Sequence, residues 1–156
     1  MKIIEVKENK KQYLDLLLLA DEQENMIDRY LDKGKMYVLD DNGIKCECIV
    51  TDEGSDVLEI KNIATVPDYQ GKGYAKSLID FIVEKYREQY AILQVGTGDS
   101  PLTIPFMKSV GLSVRISYQI SLQIITTIQY MRMEYSWWIW CICKGRYKEI
   151  FSNTLC

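Results

Sequence analysis

The residues best suited by type and spacing to do chemistry are Tyr69-Gln70-Gly71-Lys72-Gly73-Tyr74-Ala75. Two glycines flank a lysine, after a strand-like run and before a helix-like one. Backbone N–H groups at a helix start have no internal partner and point at whatever fills the turn. With the helix dipole added, such a turn suits an anion. Glycines let the backbone approach a phosphate closely and adopt positive φ, and Lys72 adds a mobile charge. No Gly-Lys-Ser/Thr follows at the interval a Walker loop needs, and no third glycine completes a dinucleotide fingerprint. Two readings stay open: a phosphate cradle, or a strand-to-helix turn that uses glycine for geometry alone.

Other candidate groups are weaker. Cys46 and Cys48 stand two apart on a strand-like run and therefore point the same way. Cys141 and Cys143 repeat that spacing, and Cys156 stands alone. With no His and no Cys-x-x-Cys pair, the expectation is free buried or edge thiols and no metal site. Trp137, Trp138 and Trp140 crowd into four positions, and core aromatics explain them better than a ligand platform does.

The elements that must position the glycine turn are legible from periodicity. Residues 2–6 read as a strand. Residues 9–33 have helical period, with a break at 21–25 that splits them into two helices. Gly34 is a helix stop. Strands follow at 36–39 and 44–50, joined by the hairpin signal Asp40-Asp41-Asn42-Gly43, and 51–56 is a polar turn. Residues 57–66 form the clearest strand. Simple alternation points Leu58, Ile60, Asn62 and Ala64 one way and Glu59, Lys61, Ile63 and Thr65 the other, before Pro67 ends the strand. Residues 73–89 are helical, with an apolar stripe of Ala75, Leu78, Ile79, Ile82, Val83 and Tyr86. A strand at 91–95 follows, parallel to the one before the crossover. Ser100 and Pro101 open a last helix that runs to 109, with Gly111 beyond its end.

The chain has 156 residues, enough for one domain with a real core. Its net charge of -3 argues against a general nucleic-acid binder. From residue 107 on the balance is +4, so the first 106 residues carry -7. That is compatible with a cationic substrate. The opening MKIIEVKENKKQ is charged almost at once, and the apolar run 14–20 is too short to span a bilayer. A cytoplasmic protein with no membrane partner is expected.

The stretch LEIKNIATVPDYQGKGYAKSLIDFIVEKY resembles the acetyl-CoA-binding core of the GNAT N-acetyltransferases. That family carries Gln/Arg-x-x-Gly-x-Gly/Ala after its fourth strand, and Gln70, Gly73 and Ala75 fill those places. LQVGTGDSPLTIPF looks like the family's fifth strand and the start of its next helix. The resemblance covers residues 1–112. It implies an α/β fold with a mixed, largely antiparallel twisted sheet flanked by helices, containing a splayed pair of parallel central strands. It implies acetyl-CoA as cosubstrate and a small-molecule or peptide amine as acceptor. Backbone amides of Gln70, Gly71, Lys72, Gly73, Tyr74 and Ala75 would hold the pyrophosphate. Ile63, Ala64 and Thr65 would pair with the pantetheine arm along the splayed strand edge. Glu59 would be the general base, and a solvated strand residue is the alternative for it. The same resemblance places acceptor pockets among the first helices and the last hairpin.

Beyond about residue 107 the likeness fails. The family's tyrosine, which protonates the leaving thiolate, is absent from Phe106-Met107-Lys108-Ser109-Val110-Gly111-Leu112. Loss of one T from codons for Phe-Tyr-Glu-Lys-Cys-Gly-Phe yields Phe-Met-Lys-Ser-Val-Gly and then Leu or Phe. The shifted frame forces Gly at Met133–Glu134, Val at Trp137–Trp138, Asp at Trp138–Ile139 and Val at Trp140–Cys141. The tail 113–156 is thus expected to be a frame-shifted version of the family's final hairpin, packing on or beside the same domain. ISLQIITTIQY and WWIWCICK are its β-prone segments. A homodimer through those strands, and a CoA-binding module with little catalysis, are the accompanying alternatives.

Overall fold

The computed structural model describes residues 1–97, 103–120 and 135–144. A seven-stranded sheet runs in the order β1-β2-β3-β4-β5-β7-β6. The strands are β1 (Lys2–Val6), β2 (Lys35–Asp40), β3 (Ile44–Gly54), β4 (Val57–Thr65), β5 (Ile92–Thr97), β6 (Ser113–Ile120) and β7 (Tyr135–Lys144). The helices are α1 (Leu14–Leu17), α2 (Glu24–Leu31), α3 (Tyr74–Tyr86) and α4 (Thr103–Ser109). All neighbours pair antiparallel except β4 and β5, which are parallel. The expected mixed, largely antiparallel sheet is therefore present.

Each sheet face has its own core. Leu78, Ile79, Ile82 and Tyr86 of α3, with Met107 and Val110 at α4, cover Tyr37, Leu39, Cys46, Cys48, Leu58, Ile60 and Val95. The predicted stripe of α3 is what buries this face. Its Tyr86 hydroxyl lies 2.7 Å from that of Tyr37, and burial, reinforced by this contact, holds the Tyr37 phenol above its usual range. On the other face Leu17, Ile27 and Leu31 cover Met36, Val38 and Ile49. The predicted helical run 9–33 is split into α1 and α2, as expected, but the break falls at 18–23 and not at 21–25. Lys10 Nζ then donates to the carbonyls of Leu31 and Gly34, both at 2.7 Å, which satisfies orphan carbonyls at the end of α2.

The sixth strand is Ser113–Ile120; of the β-prone segment 120–130, residues 121–130 lie outside the described residues, as do Ser100 and Pro101. Two expectations need correction. Residues 51–54 belong to β3, and the reversal is confined to Gly54, Ser55 and Asp56, all at positive φ. Second, β4 does not alternate simply. Ile49 pairs with Asn62 and Val50 with Ile60, so Lys61 is the extra residue of a β-bulge. Leu58 and Ile60 face α3. Past the bulge the faces exchange, and Asn62 points to α1, where its Nδ2 donates to the Leu17 carbonyl at 3.1 Å.

Candidate functional site

The parallel pair holds register only from Val57↔Ile92 to Ile60↔Val95. Beyond that, β4 continues to Thr65 and β5 to Thr97 without pairing to each other. The gap opens a cleft of about 1180 Å³. Its walls include Asn62, Ile63, Ala64 and Thr65 on one side and Val95 and Gly96 on the other, with Phe106, Met107 and Ser109 beside them. One end reaches Gln70, Gly71 and Gly73, and the other reaches Asp21, Met26, Arg29 and Tyr30. The cleft therefore joins the two faces of the sheet.

At the first end, a single 3-10 turn, Pro67–Tyr69, leads from β4 to the glycines. Gly71 and Gly73 have φ of 72° and 87°, in the left-handed region that only glycine enters without strain. A Cβ built on either glycine meets nothing within 4 Å, so the turn is open to an approaching group. Gly73 caps α3 with no side-chain hydrogen bond. The first bond of the helix is Ser77 N–H to the Gly73 carbonyl at 2.9 Å, so the amides before it lack intrahelical partners. Gln70 Nε2 donates to the Thr65 carbonyl at 3.3 Å. Tyr74 donates to Asp41 at 2.8 Å. That hydrogen bond, with the N-terminal ammonium 3.3 Å away, holds the Asp41 carboxyl below its usual range. Ile63, Ala64, Thr65, Gln70, Gly71, Gly73, Tyr74 and Ala75 all line the cleft. Lys72 does not, and its Nζ sits 4.9 Å from the centre of the Tyr69 ring. Lys45, which sequence reasoning passed over, places its Nζ 3.9 Å from the same ring. Two cations thus sit against one aromatic ring beside the turn.

Glu59 also lines the cleft and is 7% exposed. It is not the solvated strand residue of the alternative reading. Lys61 Nζ lies 2.7 Å from one carboxylate oxygen, and Gln94 Nε2 donates to the other at 2.9 Å. Burial disfavours the Lys61 charge, but Glu59 and Glu53 outweigh it and raise the ammonium above its usual range. Met107, where the resemblance would place the family's tyrosine, is 3% exposed and carries no titratable proton.

At the far end, Tyr30 donates to Asp21, and Asn62 Nδ2 lies 2.9 Å from the Tyr30 hydroxyl and 3.3 Å from Asp21 Oδ2. Burial, then the bond to Asp21, pushes the Tyr30 phenol above its usual range. Glu47 of β3 is fully buried, with neither carboxylate oxygen hydrogen-bonded. Burial pushes its carboxyl well above the usual range, and Asp21 adds to the shift. The neighbouring Ala64 backbone amide opposes it. Sequence reasoning missed this network, although a carboxylate between two cysteines on a core strand and an asparagine inside an apolar one were its signals.

Cys46 and Cys48 are buried and free, as expected. Burial pushes the Cys46 thiol up to about 12, so it is not a nucleophile at neutral pH. Among the described residues no helix is long and apolar enough to cross a membrane.

The family model described as Acetyltransferase (GNAT) domain matches residues 32–111. An uncharacterized N-acetyltransferase, YvbK of Bacillus subtilis (strain 168), is 31% identical over 97 residues, which are 61% of this chain and 63% of that protein. A GNAT family acetyltransferase from Elizabethkingia anophelis with acetyl-CoA bound superposes with a TM-score of 0.76 at 24% identity. That match covers 92% of this chain and 97% of the other. An IAA acetyltransferase from Bacillus cereus ATCC 14579 gives 0.72 at 26% identity, covering 92% and 98%. With the match to the family model spanning half of its length, this chain belongs to the GNAT acetyltransferase family.

Proposed function

We propose that the chain transfers an acetyl group from acetyl-CoA to a primary amine of a small molecule or peptide. The observation that carries the reading is the cleft itself, which leads from the open glycine turn, along an unpaired strand edge, to a buried carboxylate. The residues present fit the cosubstrate. Gly71 and Gly73 leave space where any side chain would stand, and Lys45 and Lys72 add positive charge next to it. Acetyl-CoA, when bound, supplies the activated thioester acetyl group.

Each part then has a role. Amides of Gln70, Gly71, Lys72, Gly73, Tyr74 and Ala75 hold the pyrophosphate. Ile63, Ala64 and Thr65 present the β4 edge to the pantetheine arm, much as an added strand would pair. Glu59 takes a proton from the acceptor ammonium, so that the neutral amine attacks the acyl carbon. Lys61 and Gln94 fix its carboxylate for that task. The attack forms the N–C bond, the C–S bond breaks, and the thiolate sulfur takes up the proton that the acylated nitrogen loses.

Met107 favours a second reading, a CoA-binding module with little turnover, because it puts no proton donor where the family has tyrosine. Met107 is also where the proposed one-base frame shift begins, and sequencing the gene decides that point. An intact reading frame encoding the same tail would refute it. For the function, acetyl-CoA titration followed by thermal shift tests binding, and thiol release with an amine panel tests turnover. Binding with turnover is the expected result. Binding without turnover on any amine favours the module, and no binding overturns both readings.

A further inference from the structure

We propose that Glu53, which does not line the cleft, is a positioning residue for acetyl transfer: it shares Lys61 with Glu59 and so leaves the base with the net negative charge that draws in the acceptor's ammonium. The proposal rests on the reading of Glu59 as the base of that reaction. Its ground is the ladder between β3 and β4, which carries two bulges. Lys61 is the extra residue of one. Glu53 is the extra residue of the other, since Asp52 pairs with Leu58 and Gly54 with Val57. The row between them pairs Thr51 with Glu59. Bulges re-aim the side chains they carry, and here both side chains turn toward that row.

The four side chains form one chain of contacts. Lys61 Nζ stands 2.7 Å from Glu59 Oε1 and 3.1 Å from Glu53 Oε1. Thr51, 7% exposed, donates to that same Glu53 oxygen at 2.6 Å. The Thr51 hydrogen bond, helped by Lys61, holds the Glu53 carboxyl below its usual range, so it is charged at neutral pH. A pair of Glu59 and Lys61 alone is neutral, and its ammonium repels a second one. With Glu53, two carboxylates face one ammonium, and one net negative charge remains. Lys61 and Glu59 both line the cleft, so that charge is felt where an amine must dock. Behind Glu53, Asp52 adds further negative charge. From β5 the neutral Gln94 meets Glu59. The other charged groups of the cleft wall, among the described residues, are engaged elsewhere or exposed. Asp21 receives Tyr30 and Asn62, Lys76 pairs with Asp80, and Arg29 is exposed.

Carboxyl-carbon NMR of the full chain, labelled with carbon-13 at glutamate, tests the proposal without any acceptor. The Glu59 signal is assigned by its loss in Glu59→Gln. Glu53→Gln keeps an oxygen for Thr51 and removes the charge, so Lys61 then answers to Glu59 alone. The titration midpoint of Glu59 is expected to fall by about 0.3–0.7 pH units, the scale of a partly exposed ion pair. Lys61→Met should move it the opposite way, and Glu53→Asp should lie nearer the native value than Glu53→Gln does. A midpoint that is unchanged or raised in Glu53→Gln overturns the proposal. Steady-state kinetics at pH 7, with the amine of the panel that the native chain turns over fastest, give the second readout. Glu53→Gln should raise KM for the amine about two- to fivefold and leave KM for acetyl-CoA where it is. No rise, or an equal rise in both, overturns the proposal. The expected fall in midpoint in a chain that turns over no amine upholds the sharing of Lys61 while overturning acetyl transfer.

Discussion

Glu47 lies wholly buried on the α1 and α2 face of β3, and burial holds its proton to a pH well above the ordinary carboxylate range. The consequence for stability has a definite sign. Above the unfolded value of about 4.5 the unfolded chain has released this proton while the folded chain keeps it. The unfolded state then binds fewer protons, and stability falls as pH rises. Glu47→Gln removes that loss. The variant is expected to unfold at higher denaturant concentration than the native chain at pH 7 to 8, with the gap closing as pH falls toward 4.5. A constant gap across that range would show that Glu47 is charged in the fold. Glu59 makes a different prediction. Glu59→Gln keeps the shape and its contact with Lys61, and kcat/KM should fall about 10²- to 10⁴-fold, the range of general base catalysis. Acetyl-CoA affinity, read by titration, should stay unchanged, and an undiminished rate would move the base to another group.

The elements of the site differ in how much of them the sequence displays. The glycine turn is legible because its demand is local: positive φ at Gly71 and Gly73 must be met by those residues themselves. The α3 stripe and the hairpin at Asp40-Asp41-Asn42-Gly43 are legible for the same reason. The bulge at Lys61 is not, because it exists only in the pairing of β4 with β3. Through it Asn62 reaches the far face and meets Asp21, a partner 41 residues away in the chain. No period in either segment carries that contact. Gly34 shows a milder version. Its place after a helix suggests a left-handed stop, yet its φ is not positive, and its real constraint is close packing. A Cβ there would stand 2.4 Å from Ile49 Cγ2 and 3.0 Å from the Tyr30 carbonyl. Gly34→Ala is therefore expected to destabilise the fold by about 1–3 kcal/mol through overpacking, measured by urea denaturation. A neutral or stabilising change would mean that α2 can shift away from β3.

At the scale of the whole molecule, the cleft leaves backbone polar groups on the β4 edge and at the start of α3 for a ligand to meet. Between Ile60 and Thr65 the edge of β4 away from β3 pairs with no strand among the described residues, and α3 begins with amides that lack intrahelical partners. Both are polar backbone groups that fold without mutual satisfaction, so an occupant that meets them binds the native state and not the unfolded chain. Such linkage has a predictable size. Acetyl-CoA at one hundred times its dissociation constant should add about 2.7 kcal/mol of stability. For a chain of this length that is a rise in Tm of roughly 5–10 °C. Gly73→Val should abolish the rise. Its side chain has space in the empty turn, but the backbone there stands at a φ of 87° that a β-branched residue adopts only at a cost. The variant must therefore be compared at its own baseline Tm, which separates lost folding from lost binding. A folded Gly73→Val chain with the full ligand-induced rise would show that the turn is a strand-to-helix connection alone. A native chain with no rise would show that the open cleft serves another ligand.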